Sequence, residues 1–263
     1  MLRFMLAAAV CLLVSLAVAV LRAEDLAARF EKKEFAGSVG ELLYRWHAPP
    51  DLEAGRKYPL VIFLHGAGER GDDNAAQLIH GVKVFASDEV AAKNACFVAA
   101  PQCPRGQTWA SIDRTRETPR LGDQASAPAA LVLELIDSLS KEFPIDADRI
   151  YITGLSMGGY GTFDLLMREP QRFAAAVPVC GGADVSRAES IKDIPIWIYH
   201  GAKDTAVPVE RSREIVEALK AAGGAPRYTE YPDIGHDSWN GAYIDQEMLT
   251  WLFEQRLSQR TAK

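Results

Sequence analysis

Short β-rich runs alternate with longer amphipathic runs through most of the chain. Residues 58–64 are apolar at almost every position, which is typical of a strand covered on both faces. Residues 129–143 instead carry leucines four positions apart and predict a helix that Pro144 ends. Further strands are predicted at 38–47 (an edge strand), 97–100, 149–153, 173–179, 194–199 and 227–231, and further helices at 75–85, 160–168, 209–222 and 243–256. This alternation predicts an α/β fold with a mostly parallel, doubly wound sheet flanked by helices.

The first 23 residues have a different pattern from the rest. One early arginine, Arg3, precedes an apolar run from Phe4 to Leu21 whose one polar residue is Ser15. Ala17-Val18-Ala19 matches a cleavage site, and Ala23 is a second candidate, with a poorer residue, Leu21, at its minus-three position. This pattern is typical of a secretory signal, although an uncleaved anchor has a similar length. We therefore expect residues 1–23 to be a signal peptide that exports the protein, residues 24–263 to form a single α/β domain, and no stable membrane insertion after cleavage. Residues 25–33 predict a short charged helix or a loose arm.

Composition and charge narrow the classes of partner. The 263 residues are 48% hydrophobic, which is ordinary for a chain with a sizeable core. The net charge of −6 becomes −8 without residues 1–23, because that segment holds Arg3 and Arg22 and no acid. A surface this acidic argues against nucleic acid as a partner, since phosphate binding needs clustered lysine and arginine.

Three cysteines follow the signal segment: Cys96, Cys103 and Cys180. Cys96 and Cys103 bracket a short extended strand, which would hold their Cα atoms too far apart for a disulfide. Their spacing matches no zinc site. We expect all three to be free, buried thiols.

The candidate chemistry centres on Gly154-Leu155-Ser156-Met157-Gly158, which follows a predicted strand and precedes a predicted helix. In that context a G-x-S-x-G pattern is a nucleophile elbow, whose glycines allow a strained backbone and close packing. A serine hydroxyl needs a histidine base and usually a carboxylate that orients it. Ser156 is therefore the candidate nucleophile.

Chain order selects the partners of Ser156. Of the five histidines, only His236 stands alone in a loop after the last predicted strand. Asp204 ends an earlier predicted strand and completes the order serine, acid, histidine that α/β-hydrolases use. Asp184, after the intervening strand, is the alternative acid. All of these residues fall at the carboxyl ends of predicted strands, where doubly wound sheets bind ligands.

An acyl-transfer site also needs two backbone N–H donors for the oxyanion. Met157 follows the nucleophile and supplies one of them. The turn His65-Gly66-Ala67-Gly68 follows a predicted core strand, and Ala67 is the candidate for the other. This chemistry uses no metal and no cofactor.

At this point the chain resembles the secreted α/β-hydrolase esterases around dienelactone hydrolase, phospholipase/carboxylesterase and polyhydroxybutyrate depolymerase, some of which are labelled predicted peptidases. The resemblance rests on PLVIFLHGAGERG (59–71), APQCP (100–104), RIYITGLSMGGYG (149–161), VPVCGG (177–182), HGAKDTAVP (200–208) and GHDSW (235–239). It implies a Ser156-Asp204-His236 triad, with Ala67 and Met157 at the oxyanion hole.

The substrate is less closely specified. Residues 180–194 leave room for a loop and not for a large lid domain, which suits a bulky or polymer-linked ester. Trp109, in the irregular stretch 101–128, and Trp239, beside His236, are candidate aromatic walls for a sugar or phenolic ring, with ordinary packing as the alternative for both. We expect a serine esterase acting on a small-molecule or polysaccharide-linked ester, for example an acetyl or cinnamoyl (feruloyl) ester. A serine peptidase and a non-enzymatic binding protein of the same fold are the competing hypotheses.

Overall fold

An eight-stranded, mostly parallel sheet forms the centre of the molecule in the computed structural model, which describes residues 26–113 and 118–260. Its strands are β1 Glu31–Gly37, β2 Gly40–His47, β3 Tyr58–Leu64, β4 Phe97–Pro101, β7 Ile145–Leu155, β8 Ala175–Val179, β9 Trp197–Gly201 and β10 Arg227–Tyr231, and a separate two-stranded ribbon consists of β5 Ile112–Asp113 and β6 Arg120–Leu121. The strand order in the sheet is β1-β2-β4-β3-β7-β8-β9-β10; β2 pairs antiparallel with β1 and β4, and the other pairings are parallel. The predicted α/β-hydrolase fold is confirmed.

Helices cover both faces of this sheet. They are α1 Asp88–Asn94, α2 Ala127–Glu142, α3 Met157–Arg168, α4 Ala188–Ile191, α5 Glu210–Ala221, α6 Trp239–Ala242 and α7 Gln246–Glu254. Alternate residues of β3 enter two separate hydrophobic clusters, Leu60 and Ile62 in one and Val61 and Phe63 in the other. Because each face of the strand is buried under helices, its sequence is apolar at nearly every position.

The N-terminal prediction was wrong for residues 31–33. Only residues 26–28 form a helical turn, and β1 begins at Glu31 and pairs with β2 from Glu31↔Trp46 to Gly37↔Gly40. Strand β1 is the true edge of the sheet, so β2 is an inner strand. Four of the seven β1 residues are charged, and most of the strand is exposed to solvent. A run of charged residues lacks the apolar alternation by which a strand is predicted from sequence. The predicted signal peptide lies outside the described residues.

Two predicted helices were also wrong in detail. Residues 75–85 form two 3₁₀ turns, Ala76–Leu78 and Val82–Ala86, because Gly81 between them has a φ of +69° and packs against the ring of Tyr243. The predicted terminal helix 243–256 is shorter in the structure, where α7 covers Gln246–Glu254 with Asp245 as its N-cap. Helices α1, α4 and α6 were not predicted. Within the described ranges, no helix is both long and apolar enough to cross a bilayer.

The irregular stretch after β4 is held down by buried groups on α3 and after β8. The Asp164 carboxylate accepts a hydrogen bond from the Ser111 backbone N–H (2.9 Å) and pairs with Arg168 (2.5 Å). Asp184 accepts from the Leu121 backbone N–H (3.0 Å) and pairs with Arg120 (3.2 Å). Burial raises the pKa of Asp164, although Arg168 opposes that rise. These bonds fix the β5–β6 ribbon beside the elbow helix.

His65 ties the end of β3 to the same stretch. It is buried, its Nδ1–H donates to the Gly66 carbonyl (2.6 Å), and its Nε2 accepts from the Cys103 N–H (2.9 Å). The Trp109 indole N–H donates to the His65 carbonyl (3.0 Å). Burial lowers the pKa of His65 to about 4. The ring is therefore neutral at pH 7 and serves as a fixed connector. Cys96, Cys103 and Cys180 are free and buried.

The pKa of His65 predicts an acid-dependent loss of stability. Because the folded-state pKa of about 4 lies below the ordinary value of 6.5, the unfolded chain binds more protons between these pH values. The His65 contribution is complete above pH 6.5 and is lost as the pH falls toward 4, by roughly 3 kcal/mol. Urea unfolding at pH 7 and pH 5 measures about 2 kcal/mol of this loss, because pH 5 lies between the two pKa values. We expect His65→Gln to be less stable at pH 7 but to lose less stability on acidification; an equal loss in both proteins would contradict the assignment.

Candidate active site

Ser156 lies at a sharp turn between β7 and α3. Its φ of 54° and ψ of −114° belong to a strained region for a residue with a side chain. A Cβ on Gly154 would lie 2.5 Å from the Gly158 carbonyl oxygen, and a Cβ on Gly158 would overlap the Leu64 carbonyl oxygen. The two glycines therefore allow the turn to close against the end of β3. This is the geometry of a nucleophile elbow.

Three predicted residues from distant parts of the chain meet at this turn. The Ser156 hydroxyl is 2.9 Å from His236 Nε2, and His236 Nδ1 is 2.7 Å from Asp204 Oδ2. Asp204 follows β9 and His236 follows β10, so the carboxyl ends of neighbouring parallel strands bring these side chains together. A hydroxyl, an imidazole and a carboxylate in this order can move a proton from the hydroxyl as it attacks a carbonyl.

The Asp204 carboxylate is held by several N–H donors. Its Oδ1 accepts hydrogen bonds from the backbone N–H groups of Ala206 (2.8 Å) and Val207 (2.9 Å), while Oδ2 accepts from His236. Burial alone would raise the pKa of Asp204, but these donors outweigh it and leave the pKa below its ordinary value. The carboxylate is therefore ionised at neutral pH and fixes the orientation of the imidazole.

A second histidine contacts the same carboxylate. His200, in β9, is fully buried; its Nδ1 is 2.7 Å from the Ser212 hydroxyl, and its Nε2 is 2.9 Å from the Val207 carbonyl oxygen and 3.2 Å from Asp204 Oδ2. Burial lowers the pKa of His200, so the ring is neutral and Nε2–H is its donor. Chain order selected only His236 among the five histidines and gave no role to His200. Its spacing of four residues from Asp204 was the available signal.

The two predicted oxyanion donors are each the first residue of a helical turn. Ala67 begins the 3₁₀ turn Ala67–Glu69 and Met157 begins α3. The first N–H groups of a helix have no intrahelical acceptor, so both amides can donate to an anion. Gly66 packs against Leu155, since a Cβ on Gly66 would lie 2.8 Å from the Leu155 side chain. The turn that carries Ala67 is therefore next to the elbow.

The other candidates have different places. The Asp184 carboxylate accepts hydrogen bonds from Ser186, Leu121 and Arg120 and does not contact His236. The prediction of Trp109 as a substrate wall was wrong, because its side chain is fully buried in the core and bonded to the His65 carbonyl. Trp239 is partly exposed, and its ring centroid is 5.3 Å from that of His236 at an interplanar angle of 85°.

A buried thiol lies beside the acid and base. One potential ligand atom each of Cys180, Asp204 and His236 lies within 4.8 Å of the others, so the three residues could in principle hold a metal ion. The donor set fits a metal poorly. Burial raises the pKa of the Cys180 thiol to about 12, so the sulfur keeps its proton, and His236 Nδ1 already donates to Asp204. The arrangement fits an acid-base pair with a neutral thiol beside it.

Comparison with known proteins is consistent with this geometry. The profile of the Phospholipase/Carboxylesterase family matches residues 52–247. A probable carboxylesterase of Oryza sativa subsp. japonica is 26% identical over 80% of this chain and 93% of its own length. A bifunctional acetylxylan esterase/xylanase of Neocallimastix patriciarum is 27% identical over 60% of this chain and 21% of its own length. The crystal structure of a thermostable esterase is 45% identical with a TM-score of 0.82, and the match covers 88% of this chain and 64% of that longer one.

The contacts of the two candidate acids predict different effects of their removal. Asp204→Asn would lose the charge that orients His236 and stabilises its protonated form, and we expect kcat to fall roughly 10⁴-fold. Asp184→Asn would weaken the anchor of the ribbon, with a loss of less than about tenfold because the residue does not contact the base. Steady-state hydrolysis of p-nitrophenyl acetate measures both. Retained activity in Asp204→Asn together with loss in Asp184→Asn would reverse the assignment.

The contacts of His200 predict a change in pH profile. Without the Nε2–H of His200, the Asp204 carboxylate would accept one hydrogen bond fewer and would stabilise the protonated form of His236 more strongly. We expect His200→Leu to move the acid limb of the kcat/KM profile to higher pH and to lower the plateau about tenfold. His200→Gln, which keeps an N–H donor of similar reach, is expected to move the limb less. Superimposable profiles of His200→Leu and wild type would contradict this role.

Proposed function

Because this chain belongs to the phospholipase/carboxylesterase family, we propose that this carboxylic ester hydrolase works through an acyl-Ser156 intermediate. The observation that carries the proposal is the continuous set of hydrogen bonds from Ser156 through His236 to Asp204, 2.9 Å and 2.7 Å long. In this mechanism His236 takes the proton of Ser156 as its Oγ attacks the ester carbonyl. Asp204 stabilises the resulting imidazolium.

The remaining steps of the cycle use the same groups. The tetrahedral oxyanion accepts hydrogen bonds from the backbone N–H groups of Ala67 and Met157. It collapses as His236 Nε2–H protonates the departing alcohol, which leaves the acyl group on Ser156. His236 then removes a proton from water, and the hydroxide attacks the acyl carbonyl. A second collapse releases the carboxylic acid and restores the serine hydroxyl.

We propose acetyl esters of polysaccharide as the substrate class, in preference to the cinnamoyl esters also considered from the sequence. A small cavity of about 40 Å³ lies beside the elbow, lined by Thr108, Ala110, Ile112, Met157 and Tyr160. A cavity of about 150 Å³ holds a benzene ring, whereas one of about 40 Å³ has room for little more than a methyl group. The polysaccharide part is supported by the similarity to an acetylxylan esterase/xylanase.

An ester panel tests the proposed reaction and the size of the acyl group. We expect kcat/KM for p-nitrophenyl acetate to exceed that for p-nitrophenyl octanoate and for p-nitrophenyl ferulate by about tenfold or more, because the proposed acyl cavity beside Met157 is small. Ile112→Ala is expected to narrow the gap by enlarging the cavity. A peptide p-nitroanilide in the same panel tests the peptidase hypothesis.

Ser156→Ala is the control for the chemistry. It removes the attacking oxygen and is expected to reduce ester hydrolysis by roughly 10⁶-fold. Equal rates in wild type and Ser156→Ala would overturn the esterase mechanism. Equal kcat/KM for acetyl and feruloyl esters would overturn only the preference for a short acyl group.

A further inference from the structure

Beside the triad lies a second group of side chains that acyl transfer does not use: Glu69, His80 and Trp239. The His80 ring centroid is 5.2 Å from the ring of Trp239, and Trp239 in turn packs against His236 at 5.3 Å. Glu69 Oε1 is 3.6 Å from His80 Nε2. The three side chains therefore form a continuous row that begins at the base of the triad.

Glu69 stands at the edge of the turn that carries Ala67. It ends the 3₁₀ turn Ala67–Glu69, and a Cβ on Gly66 would lie 2.9 Å from its Oε2. Its side chain is only 11% exposed. Within residues 26–113 and 118–260, the carboxylate accepts no hydrogen bond, and 3.6 Å from His80 is too long for one. With no protein donor among the described residues, these oxygens have capacity for hydrogen bonds from a ligand.

The position of Trp239 indicates which part of an ester this row would contact. His236 Nε2 is the group that gives a proton to the departing alcohol in the proposed mechanism. The alcohol part therefore lies against His236, and the exposed part of Trp239 is beside it. The proposed function assigns the acyl group instead to the small cavity at Met157. Trp239, His80 and Glu69 are thus on the alcohol side of the scissile bond.

The chemistry of the row matches a sugar. A partly exposed indole offers an apolar surface for the C–H face of a pyranose ring, a carboxylate accepts hydrogen bonds from hydroxyl groups, and an imidazole can donate or accept one. His80 has 34% of its side chain exposed and is within reach of a bound molecule. A plain alkyl alcohol would leave the carboxylate unpaired.

We propose that Glu69, His80 and Trp239 form a subsite for a sugar on the alcohol side of the ester, with the Glu69 carboxylate accepting hydrogen bonds from sugar hydroxyl groups. This inference rests on the proposed function and extends it to the residues that select the alcohol. When two esters carry the same acyl group, selectivity for a sugar over an aryl alcohol then depends on Glu69.

The test compares two acetyl esters that differ only in the alcohol, with the full-length chain. The measured quantity is the ratio of kcat/KM for a mono-O-acetyl methyl xyloside to kcat/KM for p-nitrophenyl acetate. Glu69→Gln keeps the size of the side chain and removes its charge, and we expect this ratio to fall about tenfold or more. His80→Gln is expected to lower the ratio to a smaller extent. Glu89→Gln, an exposed residue of α1 paired with Lys93, is the matched control and should leave the ratio unchanged.

A binding measurement keeps the test independent of turnover. Xylotriose is expected to inhibit p-nitrophenyl acetate hydrolysis by wild type competitively, with an inhibition constant that rises about tenfold in Glu69→Gln. Circular dichroism checks that each variant is folded, and His80→Gln supplies the result if Glu69→Gln does not fold. An unchanged ratio and unchanged inhibition in a folded variant, or no cleavage of the acetyl xyloside by wild type, would overturn the subsite. If Ser156→Ala still cleaved both the acetyl xyloside and p-nitrophenyl acetate at the wild-type rate, the proposed function itself would be overturned.

Discussion

The close approach between the end of β3 and the start of α3 is the constraint on which the site depends. Gly158 lies so near the Leu64 carbonyl oxygen that no larger residue fits, and Ser156 adopts a positive φ in the same turn. This approach brings the oxyanion turn after β3 next to the nucleophile at the end of β7. The strain at Ser156 persists because the buried strands on both sides, β3 and β8, fix the turn.

Two buried histidines that do not act as bases support this arrangement. His65 joins the oxyanion turn to the backbone of Cys103, and His200 lies between Asp204 and Ser212. Burial lowers the pKa of both, so each is neutral and offers one donor and one acceptor at fixed positions. The histidine that faces the nucleophile, His236, is partly exposed. Histidine therefore has two roles here: the fully buried rings are structural connectors, and the partly exposed ring faces the nucleophile.

Several features could not be predicted from local sequence because distant contacts decide them. Strand β1 is charged and exposed, and it is a strand because it pairs along its length with β2. The stretch 101–128 has no periodic pattern, yet Asp164 and Asp184 anchor it through hydrogen bonds to Ser111 and Leu121, 53 and 63 positions earlier in the chain. Trp109 was a candidate for substrate contact because it lies in that stretch, but the same anchoring buries it. Glu69 was not singled out because its neighbours His80 and Trp239 are brought to it only by the fold.

The α/β class, the elbow and the order serine, acid, histidine could all be predicted from the sequence alone. Strand periodicity and glycine spacing are local properties, and in a parallel sheet the carboxyl ends of strands meet at one edge. The folded structure was needed to show which acid contacts His236, which histidines are structural, how large the cavity at Met157 is and which tryptophan reaches the surface. Those outcomes depend on distances and burial between residues far apart in the chain, which no local pattern records. The identity of the reaction is therefore encoded locally, while the selection of the substrate is encoded in packing.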